Sequence, residues 1–198
     1  LFGENIIAYE EKNGWLKVKC LDQKLFAANS WDFFRGWIKS NKAIEVNQHL
    51  QQNLTVRSPL AQIQTKGVWP HGNQKIFALM GSKLCGTQIS KYWYKLFLPC
   101  GRIGFISATS VTPANSKFVS RKQILDSAKM FLGRPYFWGG RSFYSPFLMN
   151  QKTGVDCSGF VEICHAANGI DIPRNTVSQY ESSAKLNQVT QPGDLIFI

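Results

Sequence analysis

The sequence predicts an α+β chain in which two related β units precede a helix-bearing domain. Three observations carry this: a hairpin signal near the start, a motif that recurs in the middle, and a capped helix after Pro113. At roughly 100–200 residues per domain, 198 residues allow one large domain or two to three small ones. Hydrophobic residues make up 44% and aromatic residues 13%, enough to bury a core and too many for a disordered tail.

The first unit opens with Asn5-Ile6-Ile7-Ala8-Tyr9-Glu10, turns at Asn13-Gly14 and continues through Trp15-Leu16-Lys17-Val18-Lys19-Cys20. An Asn-Gly between two such runs predicts a β-hairpin. After a loop, Arg35-Gly36-Trp37-Ile38 gives a third strand. The pattern then returns. Trp93-Tyr94-Lys95-Leu96 matches Trp15-Leu16-Lys17-Val18, and Gly104-Phe105-Ile106 matches Gly36-Trp37-Ile38. The first copy is longer between its paired motifs. The second gains an opening strand, Leu54-Thr55-Val56-Arg57-Ser58-Pro59-Leu60, which the first lacks, as though cut just before Leu1. Such self-similarity indicates related units, and short strands with Gly punctuation suggest small β-barrels.

After Pro113-Ala114-Asn115-Ser116 the texture changes. Ser120 and Gln123 form a capping-box pair. Ile124, Leu125, Ala128, Phe131 and Leu132 share one helical stripe, with Gly133 as C-cap. A second helix is expected from Cys157 to about Asn168, capped by Asp156 and closed by Gly169. Its buried stripe is expected to hold Cys157, Phe160, Val161 and Cys164. The last residues, Gly193 to Ile198, read as a turn and then a strand.

Charge and composition narrow the function. Lys and Arg exceed Asp and Glu by 11, which points to an anionic partner. No apolar run approaches the roughly 20 residues of a membrane span. The five cysteines, Cys20, Cys85, Cys100, Cys157 and Cys164, show no metal-ligand spacing, so no metal or cofactor is expected. Cys85 and Cys100 could pair in an oxidising compartment.

Cys157 carries the chemistry. A thiol at a helix start faces unpaired N–H groups and the positive dipole end, which favour the thiolate and suit an oxyanion. The alternative is a small buried apolar residue, and the residues around Cys157 decide against it.

Those residues form four ordered blocks: Tyr136-Phe137-Trp138-Gly139-Gly140, Asp156-Cys157-Ser158-Gly159-Phe160, Pro173-Arg174 with Gln179, and Pro192-Gly193-Asp194-Leu195. Together they resemble the NlpC-type family of bacterial cell-wall cysteine peptidases over residues 118–198. The resemblance implies a papain-like core. The N-terminal repeats resemble bacterial SH3-like domains. The organisation this implies is an SH3-like domain over 1–46, incomplete at its start, a second over 47–114, and the peptidase domain over 115–198.

The resemblance makes Cys157 the nucleophile. It places a substrate amine against Asp156 and Ser158 and lines the cleft with Tyr136 and Trp138. Arg174 and Thr176 face the substrate, Arg174 as partner of a D-glutamate carboxylate. The competing readings are a solvated loop charge for Arg174 and plain core packing for the two aromatics.

Two departures from the family pattern stand out. The stretch from Arg141 through Val155 is long and apolar, and is expected to pack over the cleft rim. The family's general-base His follows the Gly-Asp-Leu strand, where this sequence stops, so the natural chain is expected to continue past Ile198. His165 cannot substitute: it lies eight residues along the same helix, about 12 Å away at about 1.5 Å per residue. His49 and His71 belong to the β half.

The expected activity is a monomeric cysteine endopeptidase of the bacterial envelope, periplasmic or secreted. Its substrate is peptidoglycan or a muropeptide, cut at the γ-D-glutamyl–diamino acid bond of the stem peptide. The alternative is a catalytically degenerate cell-wall-binding protein. Nucleic-acid binding is disfavoured, because the lysines are scattered and the aromatics keep core periodicity.

Overall fold

In the computed structural model, residues 3–46, 50–65, 76–114, 119–143, 154–187 and 190–198 are described. Among them, two antiparallel sheets precede three helices, an α+β arrangement. No described helix is long and apolar enough to cross a membrane.

The first sheet has the order β1 (Ile6–Lys12), β2 (Trp15–Ala27), β3 (Ser30–Lys39). Asn13 and Gly14 both take positive φ, 51° and 74°, as a two-residue turn matched to strand twist requires. A second such turn, at Ala28 and Asn29 with φ of 50° and 58°, replaces the expected loop. The strand begun at Trp15 therefore runs on to Ala27 and returns from Ser30. Alternation turns Leu16, Val18 and Cys20 to one face and Trp15, Lys17 and Lys19 to the other.

The second sheet runs β10-β4-β7-β8-β9-β5-β6. Its strands are β4 (Leu54–Val56), β5 (Leu60–Thr65), β6 (Ile76–Leu79), β7 (Lys83–Gln88), β8 (Trp93–Phe97), β9 (Ile103–Ser107) and β10 (Val111–Pro113). Side chains from both ends of this order, Val111 and Ala78, share one core with Leu54, Ile63, Leu96 and Ile106, so the sheet curls on itself. Gly104 permits the curl: a Cβ there would lie 2.7 Å from Ile63 Cγ2. The expected opening strand over 54–60 is split, with β5 starting at Leu60 after Pro59, which has no N–H for a ladder.

Helix α1 (Arg121–Lys129) starts on the expected capping box: Gln123 N–H donates to Ser120 Oγ and Ser120 N–H to Gln123 Oε1 at 2.8 Å. It ends earlier than the stripe predicts, at Lys129, and the chain turns through Gly133 at φ 72°. Helix α2 (Cys157–Ala166) begins where expected and closes through Gly169 at φ 81°. Helix α3 (Thr176–Ser182) is capped by Asn175. Phe131 joins these parts, with its ring centroid 4.9 Å from Phe143 and 5.4 Å from Phe160, in a core with Ile163 and Cys164.

The expected buried stripe of α2 needs correction. Cys164 is buried, but Phe160 and Val161 are half-buried and Cys157 is exposed. The fully buried positions include Ser158, Gly159, Glu162, Ile163 and Ala166. The cause is packing on two sides. The Phe131 cluster covers one face, and the loop at Gly140 presses on the other so closely that a Cβ at Gly159 would lie 2.4 Å from Gly140 O. Residues 195–198 form no ladder with any described strand. The cysteines are free, Cys85 and Cys100 included.

Candidate active site

Asp156 fixes the start of α2. Its Oδ1 accepts the Gly159 N–H at 2.7 Å, and the first carbonyl bond of the helix runs from Phe160 N–H to Asp156 O. The N–H groups of Cys157 and Ser158 precede that bond and point out of the helix end. Cys157 is exposed there, with Sγ 3.8 Å from Thr176 Oγ1 at the start of α3. Cys164 differs: burial pushes its thiol up to about 12.

Arg174 holds this corner together. It is only 8% exposed, which removes the reading of a solvated loop charge. Its Nη1 donates to Asp156 Oδ1 at 3.0 Å and Nη2 to Asp156 Oδ2 at 2.7 Å, a two-pronged pair. Nη1 also donates to Ser158 Oγ at 2.9 Å. The guanidinium expected to meet a substrate carboxylate is held here by Asp156. Burial alone would raise the Asp156 pKa. The hydrogen bond from Arg174, the Gly159 N–H and the Arg174 charge outweigh it and hold that carboxyl below its ordinary value.

The remaining candidates come from neighbouring segments. Tyr136 bridges Val155, two residues before Cys157, and Gly140 O accepts the Asp156 N–H at 3.1 Å. Tyr136 is 61% and Trp138 84% exposed, so neither is a core residue. Gln179 Nε2 donates to Ser158 O and to Pro173 O, both at 2.9 Å, tying α3 to the nucleophile helix. Of the stretch 141–155, Phe143 is buried, while Phe147, Leu148 and Met149 lie outside the described residues. So do His49 and His71. His165 Nδ1 lies 2.8 Å from Val161 O, one turn back on the same helix.

Sequence reasoning missed two features. Arg141 forms a pair with Glu162 on α2 and another with Glu4 ahead of β1, all three largely buried. Burial raises the Glu162 pKa against the opposing pull of Arg141. A lone Glu between Val161 and Ile163 was the available signal. The second feature is how the tip of the β2–β3 hairpin reaches α3: the insertion around Trp31-Asp32-Phe33-Phe34 is the β segment the sequence singles out for the cleft, but its partners are not legible there. Phe26 N–H donates to Ser178 Oγ at 2.6 Å and Arg174 N–H to Lys24 O at 3.3 Å. Phe26 and Trp31 pack at 5.2 Å above α3.

Comparison with known proteins places this geometry. Two gamma-D-glutamyl-L-lysine dipeptidyl-peptidases match all of this chain at 25% identity, from Bacillus cereus (58% of that protein) and Bacillus subtilis (62%). The chain thus spans about three-fifths of the length of these curated relatives. A probable endopeptidase p60 of Listeria seeligeri is 40% identical over 37% of this chain and 13% of its own length. A crystal structure of an NlpC/P60 family protein from Bacillus cereus shares the fold, with a TM-score of 0.78 at 23% identity, over 98% of this chain and 62% of that one. The model of the NlpC/P60 family matches residues 133–198, the part of the chain that holds Cys157, Asp156 and Arg174.

Proposed function

We propose that the protein is an envelope cysteine peptidase that hydrolyses peptidoglycan stem peptides at the γ-D-glutamyl–diamino acid bond. The observation that carries this reading is an exposed Cys157 at the start of α2 with a fixed carboxylate beside it. The printed names of the relatives supply the substrate class.

Cys157 Sγ, as thiolate, attacks the amide carbonyl carbon, and the oxyanion meets the N–H groups at the start of α2. The C–N bond breaks, the amine leaves with a proton, and a thioester remains on Sγ. Water then hydrolyses the thioester and restores Cys157. Asp156 and Ser158 receive the free amine of the stem peptide, with Arg174 as the positioning residue that keeps the carboxylate charged and aimed. Tyr136 and Trp138 line the approach, and Thr176 stands beside the sulfur. In this reading residues 1–46 and 47–114 are SH3-like domains, and the Phe26–Trp31 hairpin tip closes one end of the cleft.

The alternative, a wall-binding protein without catalysis, is separated by alkylation. Iodoacetamide is expected to abolish stem-peptide hydrolysis in step with labelling of Cys157, while EDTA leaves it intact. Hydrolysis that survives complete labelling of Cys157 contradicts the nucleophile, and no hydrolysis by the unlabelled full-length protein supports the binding role.

A further inference from the structure

Cations and aromatic rings alternate across the outward face of the first sheet. The register sets Lys12 and Lys39 on either side of Trp15 in one row. In the next row Lys17 stands between Trp37 and Glu10, with Tyr9, the residue that bulges out of β1, beside it. The Lys17 ammonium lies 5.6 Å from the Tyr9 ring centroid and 5.8 Å from that of Trp37. Lys39 lies 5.8 Å from Trp15. Tyr9 is 51%, Trp15 42% and Trp37 44% exposed. Lys12 and Lys39 have no carboxylate partner among the described residues, whereas Lys17 shares Glu10 at 3.4 Å.

The second sheet supplies an internal control. Its copies of the motif, Trp93, Lys95 and Phe105, are half-buried, and Lys95 is flanked by Thr87 and Phe105, with no row of alternating cations. Leu96 and Ile106 show which face of the motif is the core face, and by the same phase Trp15, Lys17 and Trp37 face outward. Fold alone therefore does not require the pattern.

Rings that hold ammonium groups in place lower the ordering cost of engaging an anion. A lipid surface sorts the two residue types by depth, with charged ends reaching outward past the rings. A nucleic-acid strand carries a charge on every unit and asks for a continuous cationic groove beside open ring faces. Here rings and cations alternate at one level, which suits a polymer whose neutral and charged units alternate. We propose that this face docks an acidic polysaccharide, with sugar rings against Tyr9, Trp15 and Trp37 and carboxylates against Lys12, Lys17 and Lys39. The proposal stands apart from the peptidase reading.

The test uses the full-length protein and hyaluronate, which alternates a neutral sugar with a carboxylate-bearing one. Binding is expected at low ionic strength, to fall steeply with added salt, and to be absent for dextran. Lys17→Gln and Trp37→Ala should each weaken it by about tenfold, Lys91→Ala in the turn between β7 and β8 should not, and Cys157→Ala should bind as the parent does. Lys17→Gln removes the charge but keeps a polar side chain at a half-buried surface position, so its effect is read on a folded protein. Equal binding by parent and both face variants overturns the proposal. So does single-stranded oligothymidylate or a phosphatidylglycerol vesicle binding at least as tightly through the same residues.

Discussion

The two sheets carry one motif and bury it differently. In the seven-stranded sheet, Leu96 and Ile106 are wholly buried within a core of many side chains. In the three-stranded sheet, Val18 alone among the described residues is fully buried. Alternation decides which way each side chain faces, whereas the strands that close around it decide how deep it lies. The first sheet therefore depends on contacts outside itself: Arg141 to Glu4, Ser178 to Phe26, and Arg174 to Lys24. Those contacts converge on the segments that hold Cys157.

The sharpest way to break this comparison is Arg141→Met. It leaves Glu162 and Glu4 without their shared cation, at a cost of about 3–5 kcal/mol. Hydrogen exchange should show lost protection over residues 6–39, with residues 54–113 unchanged. Uniform loss would mean that the two sheets are not held separately. Next comes Leu96→Ala, expected to cost about 2–5 kcal/mol in thermal unfolding and to act on the second sheet. Ser178→Ala removes the acceptor of Phe26 N–H, worth about 1 kcal/mol, and should loosen the hairpin tip without touching Leu96. Smallest is Trp15→Ala, within about 0.5 kcal/mol because the ring is outward and exposed. A larger loss there would place Trp15 in a core.

The corner at α2 has its own pH signature. The folded pKa of Asp156 is depressed, so its contribution is fully present above the ordinary carboxylate value of about 3.9. It is lost as pH falls through the lower folded value. Arg174→Met removes the largest stabilising partner and should flatten that acid limb in a stability–pH curve. An unchanged acid limb would contradict the clamp.

Much of this was legible because it is local. Ser120 with Gln123, Asp156 ahead of Cys157, and Asn13-Gly14 each satisfy backbone groups within four residues, and each starts or turns an element where expected. Ala28 and Asn29 carry a weaker turn signal, and the hairpin tip was read as a loop. The face of α2 was misjudged because periodicity assumes one buried side, and Gly140 packs against a second. Arg174 was recognised as a site residue, but its partner is set by tertiary placement: Pro173 and Gln179 fold it back onto Asp156. Charge partners across long separations leave no periodic trace.

The most direct measurement is mass spectrometry of a defined stem peptide, with a free N-terminal amine and a γ-D-glutamyl–diamino acid bond, incubated with the full-length protein and with its Cys157→Ala form. The account predicts release of the N-terminal dipeptide by the parent and none by the variant. Equal release by both would take the reacting group away from that sulfur and leave the chemistry of this corner unexplained.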